Sequence, residues 1–376
     1  MWRRIWQIII KEFIQVWRDK KLRFFLIGPP IVQILAYGYA INFDIKNVAT
    51  AIYDEDRSPE SRDLADRFRS TEYFRVSHFI RDQKQMEDLI NRSQVTFVIH
   101  VPWDFSRKLK AGHAAPLQFI TDATDSNAAQ VVNRYAGAIL NDYTLDQMQA
   151  RLRTLGVRAR LEQPVALEQR ARYNPNLLSR WSFVPGVIAM VVMLVSLMLT
   201  ALAVVREREI GTMEQILVTP IRPVEFLLGK TIPFVIISFM EVVLVSLIAI
   251  LWFEVPFRGS VLVLFLGTLT FLFNSVGLGL LISTASSTQQ QAMMAGTFFL
   301  TPAIMLSGLI FPINNMPPFF QYCTYLNPLR YFVIVVQDVF LKGVGLKVLW
   351  TQMAAMTALG LAMLALSLLR FRRTLA

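Results

Sequence analysis

The chain has 376 residues, of which 54% are hydrophobic and 17% are charged, and its formal net charge is +11. A mean hydropathy of +0.43 is high for a soluble protein of this size, so the composition indicates an integral membrane protein. The basic excess lies mainly near the chain ends, which favours contact with anionic lipid and argues against nucleic-acid binding. The single cysteine excludes an internal disulfide.

Residues 1–21 are predicted to form a cytoplasmic amphipathic helix. Apolar residues recur there at helical spacing, and Arg4, Lys11, Gln15 and Arg18 fall on the opposite side. A cleaved signal peptide ending near "YGYA" is the alternative. The charged region that precedes the first apolar run is long for a signal peptide and contains a helix of its own.

Six stretches are predicted to cross the membrane, because about 20 apolar residues at about 1.5 Å per residue span a bilayer. They are residues 22–42, 181–205, 226–252, 259–282, 291–311 and 347–369. Residues 259–329 contain no Asp, Glu, Lys or Arg, and the polar patch "STASSTQQQ" divides them into two spans. Both chain ends are basic, and six spans place them on one side, so both are predicted to be cytoplasmic.

Residues 43–179 are then predicted to form an external domain. With 19 basic and 18 acidic residues the region is nearly neutral, and it is long enough for its own core. Strand-like and helix-like stretches alternate, which predicts a small α/β domain with a partly parallel sheet. One helix should begin at Pro59 with Ser58 as its N-cap. The acidic run at 54–56 is interpreted as a solvated turn or a cation site, and the three histidines lack zinc-ligand spacing.

No nucleotide-binding motif is recognised. "GKT" at 229–231 ends like a phosphate-binding loop, but Val224 stands where that loop requires glycine. "LSGLIFP" at 306–312 has a superficial similarity to the ATP-binding-cassette signature and lies in an apolar stretch. No catalytic residue, metal site or cofactor is therefore expected in this chain, and active transport would need a partner ATPase or an ion gradient.

A densely charged segment separates the second and third predicted spans. It reads "VVREREIGTMEQILVTPIRPVEFLLGK", with charges alternating from Arg206 to Glu209 and Pro220 as the stop of a short helix. Composition leaves two interpretations open. The segment is either a solvated loop with local ion pairs, each worth about 0.2–1 kcal/mol, or a surface for a cytoplasmic partner.

Three stretches resemble the permease subunits of bacterial ABC-2-type exporters: "NPNLLSRWSFVPG" (174–186), "LTALAVVREREIGTMEQILVTPIRPVEFLLGKTIPF" (199–234) and "NPLRYF" (327–332). The similarity covers essentially the whole chain and is greatest to the multidrug-exporter-like branch with a large external domain. It implies a half-transporter of the bacterial inner membrane that pairs with a second permease copy, identical or similar. It also implies two cytoplasmic ATPase subunits, which bind ATP and Mg, and allows a periplasmic membrane-fusion adaptor on the external domain.

By the same resemblance, residues 206–222 hold a coupling helix that contacts the ATPase, and residues 1–21 form a connecting helix that also touches it. The coupling positions carried over are Glu207, Arg208, Glu209, Gly211, Thr212, Glu214, Thr219 and Pro220. Residues 313–336 correspond to short external re-entrant helices. Pro317, Pro318 and Pro328 disfavour a continuous helix there. Residues 180–376 as a whole would hold the second to sixth spans.

The substrate path of such an exporter is expected between the two protomers, along the second and fifth spans. Flexible Met and flat Phe side chains suit varied apolar substrates, and ordinary packing or lipid contact is the alternative. The candidate wall residues are Met190, Met193, Met293, Met294, Phe298, Phe299 and Met305.

Glu241 is predicted to lie near mid-membrane, where an acid costs about 3 kcal/mol on insertion scales. It should face the bundle interior near Asn274, with either a substrate or proton role or a structural hydrogen bond. Two other classes of function remain open. A proton-driven secondary exporter using Glu241 leaves the charged segment unexplained, and a sensor would lack a cytoplasmic output domain.

Overall fold

A computed structural model describes residues 2–40, 47–124, 126–154, 172–175, 178–211 and 223–375. The chain divides into two compact units. Phe43–Gln169 is called the α/β unit here, and Met1–Asn42 together with Arg170–Ala376 is called the helical unit.

The helices of the described residues alternate with four strands in the α/β unit and follow one another directly elsewhere. The helices are α1 (Trp2–Arg18), α2 (Lys20–Ala40), α3 (Pro59–Arg69), α4 (Gln83–Asn91), α5 (Phe105–Ala111), α6 (Ser126–Thr154), α7 (Ser179–Ile210), α8 (Pro223–Leu251), α9 (Val261–Ala285), α10 (Gln289–Met305), α11 (Pro318–Cys323), α12 (Pro328–Gln337) and α13 (Leu346–Leu375). The strands are β1 (Val48–Asp54), β2 (Phe74–Ile80), β3 (Phe97–Val101) and β4 (Gln118–Thr121).

The sheet of the α/β unit has the strand order β2-β1-β3-β4. β1 is parallel to both of its neighbours, with Val48 opposite Phe74 and Thr50 opposite Phe97, and β3 is antiparallel to β4. Each parallel pair is joined through a helix, as parallel strands require. The predicted alternation of strands and helices and the partly parallel sheet are confirmed.

The sheet packs apolar side chains on both faces. Phe97 and Ile99 of β3 join a cluster with side chains of α3 and α6, whereas Val98 joins a separate cluster with Leu89 of α4. Successive strand residues point to opposite faces, so the β3 sequence "FVIHV" serves both clusters. The unit therefore has its own core, with helices covering the two faces of the sheet.

The predicted start of α3 is confirmed. Ser58 is the N-cap, and its hydroxyl accepts a hydrogen bond from the backbone N–H of Ser61 at 3.1 Å. Pro59 occupies the first helical position, where its missing N–H has no intrahelical partner to lose.

The helical unit is organised around α7, which packs against α2, α8, α9, α10 and α12. Its apolar stretch is almost entirely buried within the chain, unlike those of α8 and α13. α7 and α9 come very close at Gly279, where an added Cβ would lie 1.8 Å from Thr200 Oγ1. Nearby, the hydroxyls of Ser196 and Ser275 are 2.5 Å apart and tie the same two helices together.

By length and composition, four helices in the described part of the chain can cross a membrane: Ser179–Ile210, Val224–Leu251, Val261–Ala285 and Leu346–Arg370. They correspond to the second, third, fourth and sixth predicted spans. The apolar part of α2 is the shorter segment Leu26–Ala40. The count of six spans stays a prediction.

The predicted fifth span, 291–311, differs from the structure at its end. α10 stops at Met305 after 17 residues, so its length is about 26 Å. The hydrocarbon core of a bilayer is thicker, at about 30 Å. Pro302 lies inside its last turn, where it cannot donate a backbone hydrogen bond. Two 3₁₀ turns and the short helices α11 and α12 follow. Residues 313–336 are therefore not one continuous helix.

The predicted second span, 181–205, also ends too early. α7 continues without a break through the charged residues to Ile210, and Gly211 then adopts the left-handed conformation with φ 83°. The range predicted for the coupling helix, 206–222, therefore begins inside α7, because Arg206–Ile210 are the last residues of that helix. The rest of the predicted coupling helix, from Thr212 onward, lies outside the described residues.

The close contact at Gly279 generates a stability prediction. Gly279→Ala should force α7 and α9 apart and destabilise the helical unit by about 1–3 kcal/mol, as overpacking does. Gly345→Ala is the matched control, because an added Cβ there meets nothing within 4 Å, and its effect should stay below about 0.5 kcal/mol. Thermal unfolding of both variants in detergent checks this. Equal melting temperatures would show that the helices do not approach so closely.

Candidate functional site

The charged end of α7 contacts four other parts of the helical unit. The residues involved are Arg206, Glu207, Arg208 and Glu209, and we call them, with their partners, the α7 end junction. Their side chains meet the α1–α2 connection, α1 together with α8, the end of α9, and the start of α10. No two of the four residues share a partner in these contacts.

A buried lysine lies at the centre of the junction. Lys230 Nζ of α8 is 2.7 Å from Glu12 Oε1 of α1 and 2.6 Å from Glu207 Oε1 of α7. The three side chains are between 2% and 6% exposed. Lys11 Nζ lies 3.2 Å from the same Glu207 oxygen, and its side chain is 55% exposed. Two acids and two lysines therefore meet in a group with no formal net charge.

The grouping has a physical reason. An unpaired charge costs several kcal/mol when it leaves water, and only close opposite charges with good geometry offset that cost. Lys230 lies between two carboxylates, one from each neighbouring helix, so its ammonium is compensated only when α1, α7 and α8 are all in place. The burial of these charges makes the relative positions of the three helices interdependent.

Adjacent side chains of α7 engage the ends of the next two helices. Arg208 Nη1 donates to the backbone oxygen of Ser286, the C-terminal cap of α9, at 3.1 Å. Glu209 Oε2 accepts from the backbone N–H of Gln289, the first residue of α10, at 2.8 Å. A cation at a helix C-terminus and an anion at a helix N-terminus are both favourable to the helix dipoles. The alternating charges of α7 thus match the polarity of this α9–α10 turn.

The N-terminal helix is held by further charges. Arg206 Nη2 lies 3.3 Å from Asp19 Oδ2, between α1 and α2. Arg4 of α1 is 3.8 Å from the buried Glu225 of α8. Ile5, Ile9, Glu12 and Val16 form the buried stripe of α1, whereas Trp2, Trp6 and Trp17 are exposed. α1 therefore carries two apolar faces, one packed on the chain and one open.

The predicted coupling residues are divided by these observations. Glu207 is buried within the chain, and Arg208 and Glu209 contact the α9–α10 turn. Gly211 caps α7. The remaining positions lie outside the described residues: Thr212, Glu214, Thr219 and Pro220. Whether any of the eight contacts an ATPase stays a prediction.

The predicted substrate-path residues are not brought together. Met190 and Met193 are buried in the core of the helical unit. The candidates on α10 are exposed instead: Met293, Met294, Phe298, Phe299 and Met305. Part of that α10 face borders an open, mainly apolar groove of about 700 Å³ that also includes Thr297 and Thr301. The candidates on α7 therefore lie in the interior of the helical unit, and the candidates on α10 lie on its surface.

The two polar path candidates also have different surroundings. Asn274 donates from Nδ2 to the backbone oxygens of Met356, at 2.7 Å, and Thr270, at 3.0 Å, so it joins α9 to α13. Glu241 is buried on α8, and neither carboxylate oxygen has a hydrogen-bond partner among the described residues. Within that part of the chain, no hydrogen bond links Glu241 to Asn274.

Lys230 and Glu12 are the functional candidates that sequence reasoning missed. A signal was present for both. Lys230 is a lone lysine at the start of an apolar helix, and such a charge implies a partner. Glu12 falls at helical spacing with Ile5, Ile9 and Val16, on the face that the structure buries.

The acidic run of the α/β unit belongs to a turn. Asp54 Oδ1 accepts from the backbone N–H groups of Asp56 and Arg57, and Asp56 accepts from Ser106. Among the described residues, no cluster of three or more His, Cys, Asp or Glu is placed to hold a metal ion.

The apolar helices of the helical unit define an integral membrane protein, and comparison with known proteins gives its family. Residues 20–369 match the profile of the ABC-2 family transporter proteins, so the chain belongs to that family.

Several proteins of Escherichia coli are similar over nearly their whole length. The "Probable multidrug ABC transporter permease YbhR" is 33% identical over 353 residues, 94% of each chain. The "Probable multidrug ABC transporter permease YbhS" is 33% identical over 347 residues, 91% of this chain and 89% of its own. The "Inner membrane transport permease YhhJ" is 29% identical over 379 residues, 99% of this chain and 98% of its own. These relatives are permeases of transporters, which agrees with a transport subunit that is not itself an enzyme.

The buried lysine generates the second prediction. Lys230→Met removes the positive charge between the buried Glu12 and Glu207, so that only Lys11 remains beside the two acids. The variant should destabilise the helical unit by about 3–5 kcal/mol. Lys11→Met removes a largely exposed partner of the same Glu207 and should cost less than about 1 kcal/mol. Thermal unfolding in detergent and trypsin sensitivity of α1 compare the two variants.

The double variant Glu12→Gln/Lys230→Met is the control. It removes the unpaired acid, leaves Glu207 with Lys11, and should recover much of the lost stability. If Lys230→Met unfolded at the same temperature as Lys11→Met, the charge group would not hold the three helices together.

Proposed function

We propose that this chain is the permease subunit of an ATP-driven exporter that moves a drug-like, lipid or other amphipathic molecule out of the cytoplasm or the inner membrane. Family membership and the names of the relatives support transport as the class of function. The absence of a recognised nucleotide-binding motif in the sequence supports a separate ATPase subunit. ATP and Mg would be bound by that subunit.

The observation that carries the proposal is the α7 end junction. The segment 212–222 enters from α7 and leaves into α8, and both helices are fixed to α1 through Lys230. A force applied to that segment by a partner reaches α1, α7 and α8 through buried ion pairs, and the α9–α10 turn through Arg208 and Glu209. Packed elements with discrete arrangements convert such a displacement into a switch between states.

In this mechanism the ATPase subunits close on binding ATP and push the segment 206–222 as a coupling element. The buried charges keep α1, α7 and α8 moving as one body, because separating them would leave charges without partners in an apolar surrounding. The substrate then leaves toward the external side. Both chain ends and the coupling segment would lie in the cytoplasm, and the α/β unit in the periplasm of a bacterium.

The exposed face of α10 is the proposed contact with a second permease copy. Met293, Met294 and Phe298 border its open groove. Contiguous exposed apolar surface of this kind marks an interaction site or a lipid contact. The substrate would pass along this face, with the interior Met190 and Met193 adjusting the packing behind it. A periplasmic adaptor on the α/β unit is an additional partner that the proposal allows.

An ATPase partner is tested by affinity purification from the native membrane with mass spectrometry of the bound proteins. Wild type should retain an ATPase subunit, and Glu214→Arg, which reverses a charge in the coupling segment, should lower its recovery by about tenfold, because like charges across an interface are costly. Glu87→Arg makes the same change on an exposed position of α4 and should leave recovery unchanged. No ATPase with well-folded wild type would refute the proposal.

The competing proton-driven mechanism is tested at Glu241. Glu241→Gln keeps the shape of the side chain, but its amide cannot bind and release a proton. The transport rate of an ATP-driven exporter should fall by less than about twofold, because a buried neutral amide replaces a buried carboxyl. Efflux of a fluorescent amphipathic dye from cells with matched expression measures this. A near-complete loss of efflux would favour the proton-driven alternative.

A further inference from the structure

The short helix α11 of the helical unit carries large apolar side chains, yet none of its residues is buried. Five large side chains of α11 and of the turn that follows it are exposed, and we call them the α11 surface: Phe319, Phe320, Tyr322, Tyr325 and Leu326. An exposed apolar patch of this size marks a contact with another protein or with lipid. The transport proposal does not use this surface.

The guanidinium of Arg330, on α12, lies beside the α11 surface and stacks on one of its rings. Its carbon Cζ is 4.2 Å from the centroid of the Tyr325 ring and 5.8 Å from that of Tyr331. Its Nη1 donates a hydrogen bond to Thr324 Oγ1. The hydroxyl of Tyr331 donates to the backbone oxygen of Tyr325 at 3.0 Å, which fixes the two rings relative to each other. Two rings and one hydroxyl therefore hold the guanidinium in place.

The charge of Arg330 has no acidic partner among the described residues. None of the ion pairs of the helical unit includes it there, and Nη1 is its only side-chain nitrogen with a hydrogen bond in that part of the chain. Arg330 is also the only charged residue between positions 259 and 337. The next acid in the sequence, Asp338, is already paired with Lys342 at 2.6 Å. Aromatic rings orient a cation without neutralising it, so Arg330 can still bind an anion.

A phosphate with attached hydrocarbon chains fits both parts of this region. A guanidinium binds phosphate oxygens through parallel, charge-assisted hydrogen bonds, and Arg330 has N–H groups left for them. Tyrosine is enriched where lipid headgroups meet hydrocarbon, and the phenylalanines of α11 suit acyl chains.

The same surface of a second copy is a poor occupant. A two-fold contact places the same residues on both sides of the interface. It would therefore bring two arginines together with no acid from residues 259–337 to separate them, and like charges across an interface are unfavourable.

We propose that Arg330 binds the phosphate of a membrane phospholipid whose acyl chains lie on the α11 surface. Tyr325 and Tyr331 act by holding the guanidinium. The inference rests on the chain being a membrane protein and does not depend on what it transports. The site should prefer a phosphate joined to acyl chains over either part alone.

The single cysteine makes a local measurement possible. Cys323 lies in α11, so a bimane fluorophore on its thiol reports from this surface alone. The labelled full chain, in dodecyl maltoside micelles that contain no phosphate, is titrated with dihexanoylphosphatidylglycerol. Wild type should respond saturably. Dihexanoylglycerol lacks the phosphate and glycerol 3-phosphate lacks the chains, and each should bind more weakly by about tenfold or more.

Three variants of the labelled chain locate the phosphate. Arg330→Gln removes the charge and should weaken binding of the phospholipid by about tenfold or more. Tyr325→Ala removes the ring under the guanidinium at an exposed position and should weaken binding by about threefold or more. Arg258→Gln is the matched control, because this exposed arginine of the same unit donates to the backbone oxygen of Leu341 instead. Its effect should stay below about twofold.

Thermal unfolding establishes which variants are folded, and the remaining outcomes decide the proposal. No saturable response, equal affinity for dihexanoylglycerol, or wild-type affinity in folded Arg330→Gln would overturn it. Equal affinity for glycerol 3-phosphate would assign the site to a free phosphate and overturn the lipid assignment. If Arg330→Gln fails to fold, Tyr325→Ala and the two partial ligands decide. These outcomes leave the ATPase experiment unaffected.

Discussion

The helical unit depends on the compensation of one buried positive charge. Lys230 lies between Glu12 and Glu207, and the three residues come from three helices, of which α1 is far from the other two in the sequence. Apolar packing alone would let α1 slide along α8 with little penalty, because hydrophobic contact is not directional. Close ion pairs in a buried site tolerate far less displacement, since attraction falls and desolvation remains. The charge group thus fixes a helix that would otherwise be a loosely attached surface element.

The last turns of α7 extend this principle from side chains to helix ends. Arg208 meets the carbonyl end of α9, and Glu209 meets the amide end of α10. A single charged turn therefore orders a lysine, two helix termini and the connection between α1 and α2. The charged motif stabilises contacts within the helical unit, and the proposed contact with a partner would begin at its continuation, from Thr212.

The sequence predicted the elements that depend on local pattern. Apolar runs located four long helices, β-branched and aromatic runs located the strands, and the Ser58–Pro59 signal located the start of α3. It failed where partners are distant. The second predicted span stops before the charges of α7, yet the helix continues through them to Ile210, and each charge meets a partner from elsewhere in the chain. No local pattern indicates which acid a buried lysine will meet, so Glu12 and Lys230 were missed, and Met190 could not be told apart from the exposed Met293.

The contact between Glu209 and Gln289 has a geometric consequence. It fixes the first turn of α10, and near the other end of the helix Asn327 donates to the backbone oxygen of Ala303 at 2.7 Å. α10 extends about 26 Å, and a tilt of about 10° about its first turn would displace the far end by about 4–5 Å. A displacement of that size would break the hydrogen bond to Asn327 unless the chain around Asn327 moved as well. α10 therefore links the charged turn of α7 to the start of α12, as a rod that is held at both ends.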